Sequence, residues 1–318
     1  MSTPLADSWF LTGPTAAGKT GGAVELARRI GAEIISMDSM ALYRDMDIGT
    51  AKPNAAQRQA VPHHLLDVLD PSEQCSLAWY LDAAERQAEQ IRARGHEVLL
   101  VGGTPLYLKG LLRGIFQGPP ADWTLRHRLQ AEAQGQDAAW LHGKLSAVDP
   151  VSAGRLHPND SRRLIRALEV FELTGRPISQ WQQQFEQGRR ADQCRVFVLD
   201  WPRPELNERI DRRVDAMFAA GLVEEVRGLM ALPQPLGKTA RQAVGYGEVI
   251  EHLEGRFRLA ETVERVKTRT RQLAKRQGTW FRSLSECRFV SLSGPIDPDV
   301  VAGEIAAIGR ATGAKNVG

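Results

Sequence analysis

Eight residues near the start of the chain, Gly13-Pro14-Thr15-Ala16-Ala17-Gly18-Lys19-Thr20, follow the G-x-x-x-x-G-K-T spacing of a phosphate-binding loop. Glycines in such a loop let backbone amides close around phosphate oxygens, and the helix that follows adds the field of its N-terminus. Lys19 would then reach the outer phosphate, and the Thr20 hydroxyl would ligate Mg²⁺. The chemistry indicated is the binding of a diphosphate-bearing molecule. A nucleoside triphosphate is the commonest such ligand, which points first to kinases and NTPases. Two features weigh against them. The apolar run Val98-Leu99-Leu100-Val101 passes into Gly102-Gly103-Thr104 without the terminal Asp by which NTPases hold Mg²⁺. An Asp follows an earlier apolar run instead, in Ser36-Met37-Asp38-Ser39, at the sheet edge where ligands bind in α/β folds. There Asp38 is a candidate base near the loop, or it merely caps a turn.

Positioning these residues requires alternating strands and helices. Residues 8–11 read as a strand that ends at Gly13, and 18–30 as a helix with Val24, Leu26, Ala27 and Ile30 on its apolar side. Strands follow at 33–36 and 97–101 and helices at 77–94 and 104–112, so that short apolar runs alternate with helical patterns as in parallel βαβ units. Strand character returns at 195–199 and again at 288–291, with helical patterns between them. The polar, glutamine-rich stretch between these strand signals reads as a helical insertion. The expected organisation is an α/β core over 1–121 and 195–318 with a helical insertion domain over 122–194. The small, polar residues 312–318 predict a frayed end.

Composition narrows the function classes. Over 318 residues the chain is 42% hydrophobic and 25% charged, ordinary for a globular protein able to bury a core. No run of about eighteen apolar residues occurs and the start lacks the regions of a secretory signal, so no membrane span and a cytoplasmic location are expected. Cys75, Cys194 and Cys287 are isolated and odd in number, against both a disulfide framework and a zinc cluster. His63 and His64 are adjacent and do not share a helix face, so a structural role is expected rather than a metal site. A net charge of +3 does not by itself require a nucleic-acid partner. Its distribution says more, because arginines cluster at Arg162, Arg163 and Arg166 and basic residues recur from 265 to 282. Such clusters neutralise phosphates, or they form a solvated helix face in which Arg166 and Glu169 make an exposed ion pair. Trp280 and Phe281 are open between base stacking and core.

Seven segments taken together carry a resemblance. GPTAAGKT is followed by SMDSMALYRDMDIGTAKP at 36–53, VPHHLLDV at 61–68 and VGGTPLYLKGLL at 101–112. RRLIRALEVFELTGRPIS at 162–179, AVGYGEVI at 243–250 and AKRQGTWFR at 274–282 continue the order. The combination resembles the bacterial tRNA dimethylallyltransferases over nearly the whole chain. The resemblance implies a P-loop NTPase-like parallel sheet core flanked by helices, a helical insertion domain, and a channel reached from two sides. It implies transfer of the dimethylallyl group from dimethylallyl diphosphate to N6 of the adenine 3′ to the anticodon, in tRNAs reading codons that begin with U. Partners would be the tRNA anticodon stem-loop and dimethylallyl diphosphate, the cofactor Mg²⁺, and the protein a monomer.

Residue by residue, Asp38 matches the general base of that family and Thr104 the residue at the centre of the channel. Gly13, Thr15, Ala16, Ala17, Gly18, Lys19 and Thr20 match the diphosphate site, with Thr20 on Mg²⁺. The tRNA-contacting stretches match Asp38, Ser39, Met40, Ala41 and Thr104, then Arg126. They continue with Arg162, Arg163, Leu164, Ile165 and Arg166, and with Gly245, Tyr246, Lys275, Arg276 and Arg282. Departures occur where the family often has Gln near Met40 or Ala41, at Pro105, at Gly247 in place of a basic residue, and at Gly278 in place of a larger apolar one. Prenylation of free adenine nucleotides is the nearest alternative, and a small-metabolite kinase or a nucleotide-regulated RNA-binding module are others.

Overall fold

The computed structural model describes residues 5–115, 118–137, 139–181 and 188–315. The first strand β1 (Trp9–Thr12) leads into α1 (Lys19–Ile30), and β2 (Ala32–Ser36) into α2 (Ala55–Ala60) and the two-residue β3 (His63–His64). Then come α3 (Leu77–Ala93), β4 (Glu97–Gly102) and α4 (Pro105–Arg113). Helices α5 (Trp123–Ala133), α6 (Trp140–Val148), α7 (Pro150–Ala153), α8 (Ser161–Thr174) and α9 (Ile178–Trp181) interrupt the alternation. It resumes with β5 (Val196–Asp200), α10 (Arg203–Ala219), α11 (Leu222–Met230), α12 (Lys238–Arg241), α13 (Tyr246–Leu253), α14 (Leu259–Arg282), β6 (Cys287–Ser291) and α15 (Pro298–Lys315).

The strands form one parallel sheet in the order β3-β2-β4-β1-β5-β6. Every residue of β1 and β2 is buried, Glu33 included, as continuous apolar strands covered on both faces must be. Pairing of Thr12 with Gly102 and of Ser36 with Val101 aligns the carboxyl ends of β1, β2 and β4, so the loops after these strands emerge together. The strand β3 was not expected. His64 Nε2 lies 2.6 Å from a carboxylate oxygen of the buried Glu33, while His63 Nδ1 meets the Val61 carbonyl at 2.8 Å. The paired histidines are thus edge-strand residues, and no group of three or more candidate ligands holds a metal among the described residues. At the other end, α15 carries regular helix through Lys315, where a frayed segment was expected; 316–318 lie outside the described residues.

The chain divides into two compact units, one of 1–112 with 188–318 and one of 113–187, which the expected insertion 122–194 overlaps. The second has its own core of Leu125, Leu129, Leu141, Leu145, Leu164 and Leu168 among others. Among the described residues no helix is long and apolar enough to cross a membrane.

Candidate active site

The turn from β1 into α1 leaves regular backbone at Ala16 and Gly18. Gly18 takes a left-handed conformation (φ +92°) open to glycine at little cost, and Ala16 shares that region (φ +63°). Outward carbonyls are held by side chains of the following segment. Arg209 Nε donates to the Ala16 carbonyl at 2.9 Å, and Trp201 Nε1 to that of Ala17 at 3.0 Å. The Arg209 guanidinium also sits 4.1 Å from the Trp201 ring centroid. From α14, Gln277 accepts from the Thr15 amide at 2.9 Å and donates to the Gly103 carbonyl at 2.6 Å. One buried amide thereby ties the loop to the segment after β4.

Three charges share this pocket. The Lys19 ammonium donates to the Gly13 and Pro14 carbonyls at 3.0 and 2.8 Å. Burial lowers its pKa to about 8; the positive Arg213 pushes the same way, and the Asp38 carboxylate opposes both. Burial likewise draws the Arg213 guanidinium below its ordinary value, with Asp38 pulling it back. Nε of Arg213 is buried without a hydrogen-bond partner among the described residues. Two cations beside the N-terminus of α1 make a receptor for a polyanion, and the buried Arg213 Nε is the group most in need of one.

Asp38 and Thr104 come together at the ends of β2 and β4. The Met37 amide donates to Val101 O at 2.7 Å and the Thr104 amide to Met37 O at 3.3 Å. A Cβ at Gly102 would lie 2.0 Å from the Met37 carbonyl oxygen, so only glycine lets the two chains cross here. That is why glycines stand where an NTPase would place its Asp. The Thr104 hydroxyl accepts from the Ser39 amide at 3.0 Å. Asp38 Oδ1 caps the turn by accepting from the Met40 amide at 2.9 Å, while Oδ2 has no partner among the described residues. Both uses weighed for Asp38 are therefore compatible.

The loop that carries Asp38 is clamped further on. Glu225 accepts from the amides of Asp47, Ile48 and Gly49 at 2.9, 2.7 and 3.1 Å, and from the Tyr246 hydroxyl at 2.6 Å. Lys52, its side chain only 2% exposed, bridges Asp47 and Asp67. Glu225→Ala leaves four donors without their carboxylate and is expected to lower unfolding free energy by about 2–4 kcal/mol. A urea midpoint unmoved at constant slope would remove this clamp from the account.

Residues 41–284 match the IPP transferase family, well over half of the chain. The chain belongs to that family. A tRNA dimethylallyltransferase of Rhodopirellula baltica is 47% identical over 307 residues, covering 93% of this chain and 92% of the relative. One of Geobacter metallireducens is 47% identical over 288 residues, covering 91% and 93%. The crystal structure of the full-length tRNA isopentenylpyrophosphate transferase of Bacillus halodurans superposes with a TM-score of 0.71 at 36% identity, covering 98% of this chain and 100% of that one. A eukaryotic dimethylallyltransferase described as acting on tRNA gives 0.76 at 26% identity, over 98% of this chain and 78% of that one. The fold is P-loop NTPase-like.

In this IPP transferase the stretches matched to tRNA contact divide by burial. Ser39 and Met40 are half-buried at the site, whereas Ala41 is 5% exposed and its side chain faces the core. Leu164 and Ile165 belong to the core of the second unit, so their side chains are turned away from solvent. Tyr246 is buried with its hydroxyl on Glu225. Gly245, just before it, spends its amide on Glu248 at 2.8 Å. Arg126 and Arg166 both bind Glu169, which is fully buried, so the exposed Arg166–Glu169 pair expected from spacing is an internal one. Arg162 and Arg163 are exposed; Arg163 lies 3.5 Å from Asp160, and Arg162 has no ion-pair partner among the described residues.

The basic run on α14 divides in the same way. Arg265, Lys267, Arg269 and Arg271 are paired with Glu251, Asp215, Glu248 and Asp211, as in a solvated face. Lys275 and Arg276 are exposed without such pairs among the described residues, and Arg282 lies 3.2 Å from Asp200. Phe281 is core and Trp280 exposed. Among the family departures, Pro105 opens α4, where a missing amide proton costs nothing. A Cβ at Gly278 would lie 3.2 Å from an Arg282 nitrogen. Sequence reasoning passed over Gln277 and Arg213. The available signal for the second was that Arg209 and Arg213 are four apart and share a helix face.

Proposed function

We propose that this chain transfers the dimethylallyl group of dimethylallyl diphosphate to N6 of the adenine 3′ to the anticodon in tRNA, in tRNAs that read codons beginning with U. The observation that carries the reading is the meeting of the Asp38 and Thr104 segments beside a phosphate loop with the buried cations Lys19 and Arg213. An adenine amine is a weak nucleophile because its lone pair is shared with the ring. Transfer therefore needs a leaving group stabilised as it departs and an acceptor for the amine proton. The allylic C–O bond breaks, the C–N6 bond forms, diphosphate leaves and the proton passes to a base.

Lys19, Arg213 and the amides of the first turn of α1 meet the charge that grows on the diphosphate. Asp38, through its unpartnered Oδ2, takes the proton. Thr104 sets the distance between the two halves of the site through its bond to the Ser39 amide. Mg²⁺ takes oxygen ligands and keeps water, and a single protein hydroxyl at Thr20 in the first turn of α1 suits binding completed by diphosphate oxygens. When bound it would neutralise charge on the leaving group. Lys275, Arg276 and Arg162, exposed and without ion pairs among the described residues, are the proposed phosphate contacts to RNA.

The test is incubation of the protein with Mg²⁺, labelled dimethylallyl diphosphate and unmodified tRNA, followed by digestion to nucleosides. Label is expected in N6-dimethylallyladenosine from tRNA and absent when AMP replaces tRNA. Label on AMP would make the enzyme one that acts on free nucleotides. ATP hydrolysis without label transfer would return the loop to its commoner use.

A further inference from the structure

An exposed indole stands on a heavily anchored segment of the second unit. The buried Glu169 on α8 accepts from Arg126 Nε and a terminal Arg126 nitrogen, both at 2.9 Å, from Arg166 at 2.5 Å, and from the Asp122 amide at 2.7 Å. Arg166 in turn donates to the Pro119 carbonyl at 2.9 Å, and the Asp122 side chain caps α5 by accepting from the Leu125 amide at 2.9 Å. Chain segment 119–126 is therefore tied down at both ends and in the middle. The residue it carries in the first turn of α5 is Trp123, which is 57% exposed. The Arg126 guanidinium lies 5.0 Å from its ring centroid, and the His127 ring is tilted against it at 6.2 Å.

A large aromatic side chain ordinarily gains by burial, so a rigid mount that leaves it in solvent points to a ligand. Arg126 is not a spare phosphate ligand, since its fork is occupied by Glu169; its place is beside the indole. A protein-docking patch would need contiguous apolar surface of several hundred Å². Around Trp123 the exposed residues of α5 are polar instead: Thr124, His127, Arg128 and Gln130. A lone indole beside one guanidinium and one imidazole ring suits the π-face of a nucleobase. Arg162, one helical turn before Arg166 on α8, is exposed and has no ion-pair partner among the described residues, which leaves its charge for a phosphate of the same RNA.

We propose that Trp123 is a stacking platform for an unpaired nucleobase of the RNA substrate, with Arg162 contacting the backbone beside it. The proposal rests on the tRNA reading of the site for the identity of the RNA. Because every base has a π-face, the contact contributes affinity without base identity and belongs to binding rather than to chemistry.

The test uses the full chain as wild type, Trp123→Ala, Trp123→Phe and Arg162→Ala. Binding of unmodified tRNA is measured without donor at two salt concentrations, and kcat and both KM values are measured by label transfer. Trp123→Ala is expected to raise Kd and KM for tRNA about tenfold, at constant kcat, donor KM and melting temperature. Trp123→Phe should recover most of the loss, and Arg162→Ala should reduce the salt slope by about one. Unchanged tRNA affinity in Trp123→Ala overturns the platform, as does equal loss in both Trp123 variants with a lowered melting temperature. Wild-type protein that binds tRNA with this dependence but transfers no label would fail the functional reading and leave the platform standing.

Discussion

Asp38→Asn is expected to slow transfer at saturating donor and tRNA by about 10²–10⁴-fold, the usual contribution of a positioned proton acceptor. The substitution is well suited to separating the two uses of this side chain. An asparagine carbonyl can still accept from the Met40 amide, as Oδ1 does at 2.9 Å, so the turn and the loop after β2 keep their shape. What disappears is the basic oxygen. Donor and tRNA affinities should accordingly stay within about threefold, and rapid-quench single-turnover kinetics should report the whole loss in the chemical step. A single-turnover rate within threefold of wild type would remove Asp38 from the base role and leave it as a turn cap.

Lys19→Met is the second large effect, about 10²–10³-fold in kcat/KM for the donor, comparable to removal of one preorganised donor to a developing oxyanion. The wild-type enzyme offers an independent check in its pH dependence. The ammonium titrates at about 8, against an ordinary value of 10.5, because burial and Arg213 disfavour the charge more than Asp38 restores it. In the free enzyme the cation is therefore lost as pH rises through about 8, and kcat/KM for the donor should fall above that point. A bound diphosphate favours the ammonium, so kcat should stay level to higher pH. A kcat/KM flat from pH 7 to 10 would show that Lys19 does not supply this charge. The same depression has a consequence for stability. Between about 8 and 10.5 the unfolded chain holds the proton more tightly than the folded one, so unliganded protein gains stability from this group as pH rises through that window. Saturating diphosphate should offset the cost at neutral pH, visible as a larger ligand-induced rise in melting temperature at pH 7 than at pH 10.

Arg213 and Gln277 are reached only through the fold. Gln277 stands 262 residues from Thr15 in the chain, and no local pattern announces that one amide will serve both the phosphate loop and Gly103. Glu225 is similar: it reads as a helix carboxylate in Glu224-Glu225, yet it accepts from three consecutive amides of a distant loop. Leu164, Ile165 and Tyr246 lie in segments that resemble RNA-contacting stretches, but neighbouring residues on a helix face different ways, and these three face the core.

The sequence by itself determined what depends on short stretches of chain. The phosphate loop follows from glycine spacing between an apolar strand and a helix, and the parallel sheet from apolar runs alternating with helical periods. Asp38 is legible because it follows a strand closely, and parallel strands point their carboxyl ends to one side of the sheet. Tertiary structure alone decided which charges are available. Of the basic residues in 162–166 and 265–282, Arg265, Lys267, Arg269 and Arg271 meet carboxylates on other helices, whereas Arg162, Lys275 and Arg276 are exposed without ion-pair partners among the described residues. Burial and pairing depend on residues far apart in the chain, and these set both the lowered pKa of Lys19 and the unpartnered Nε of Arg213.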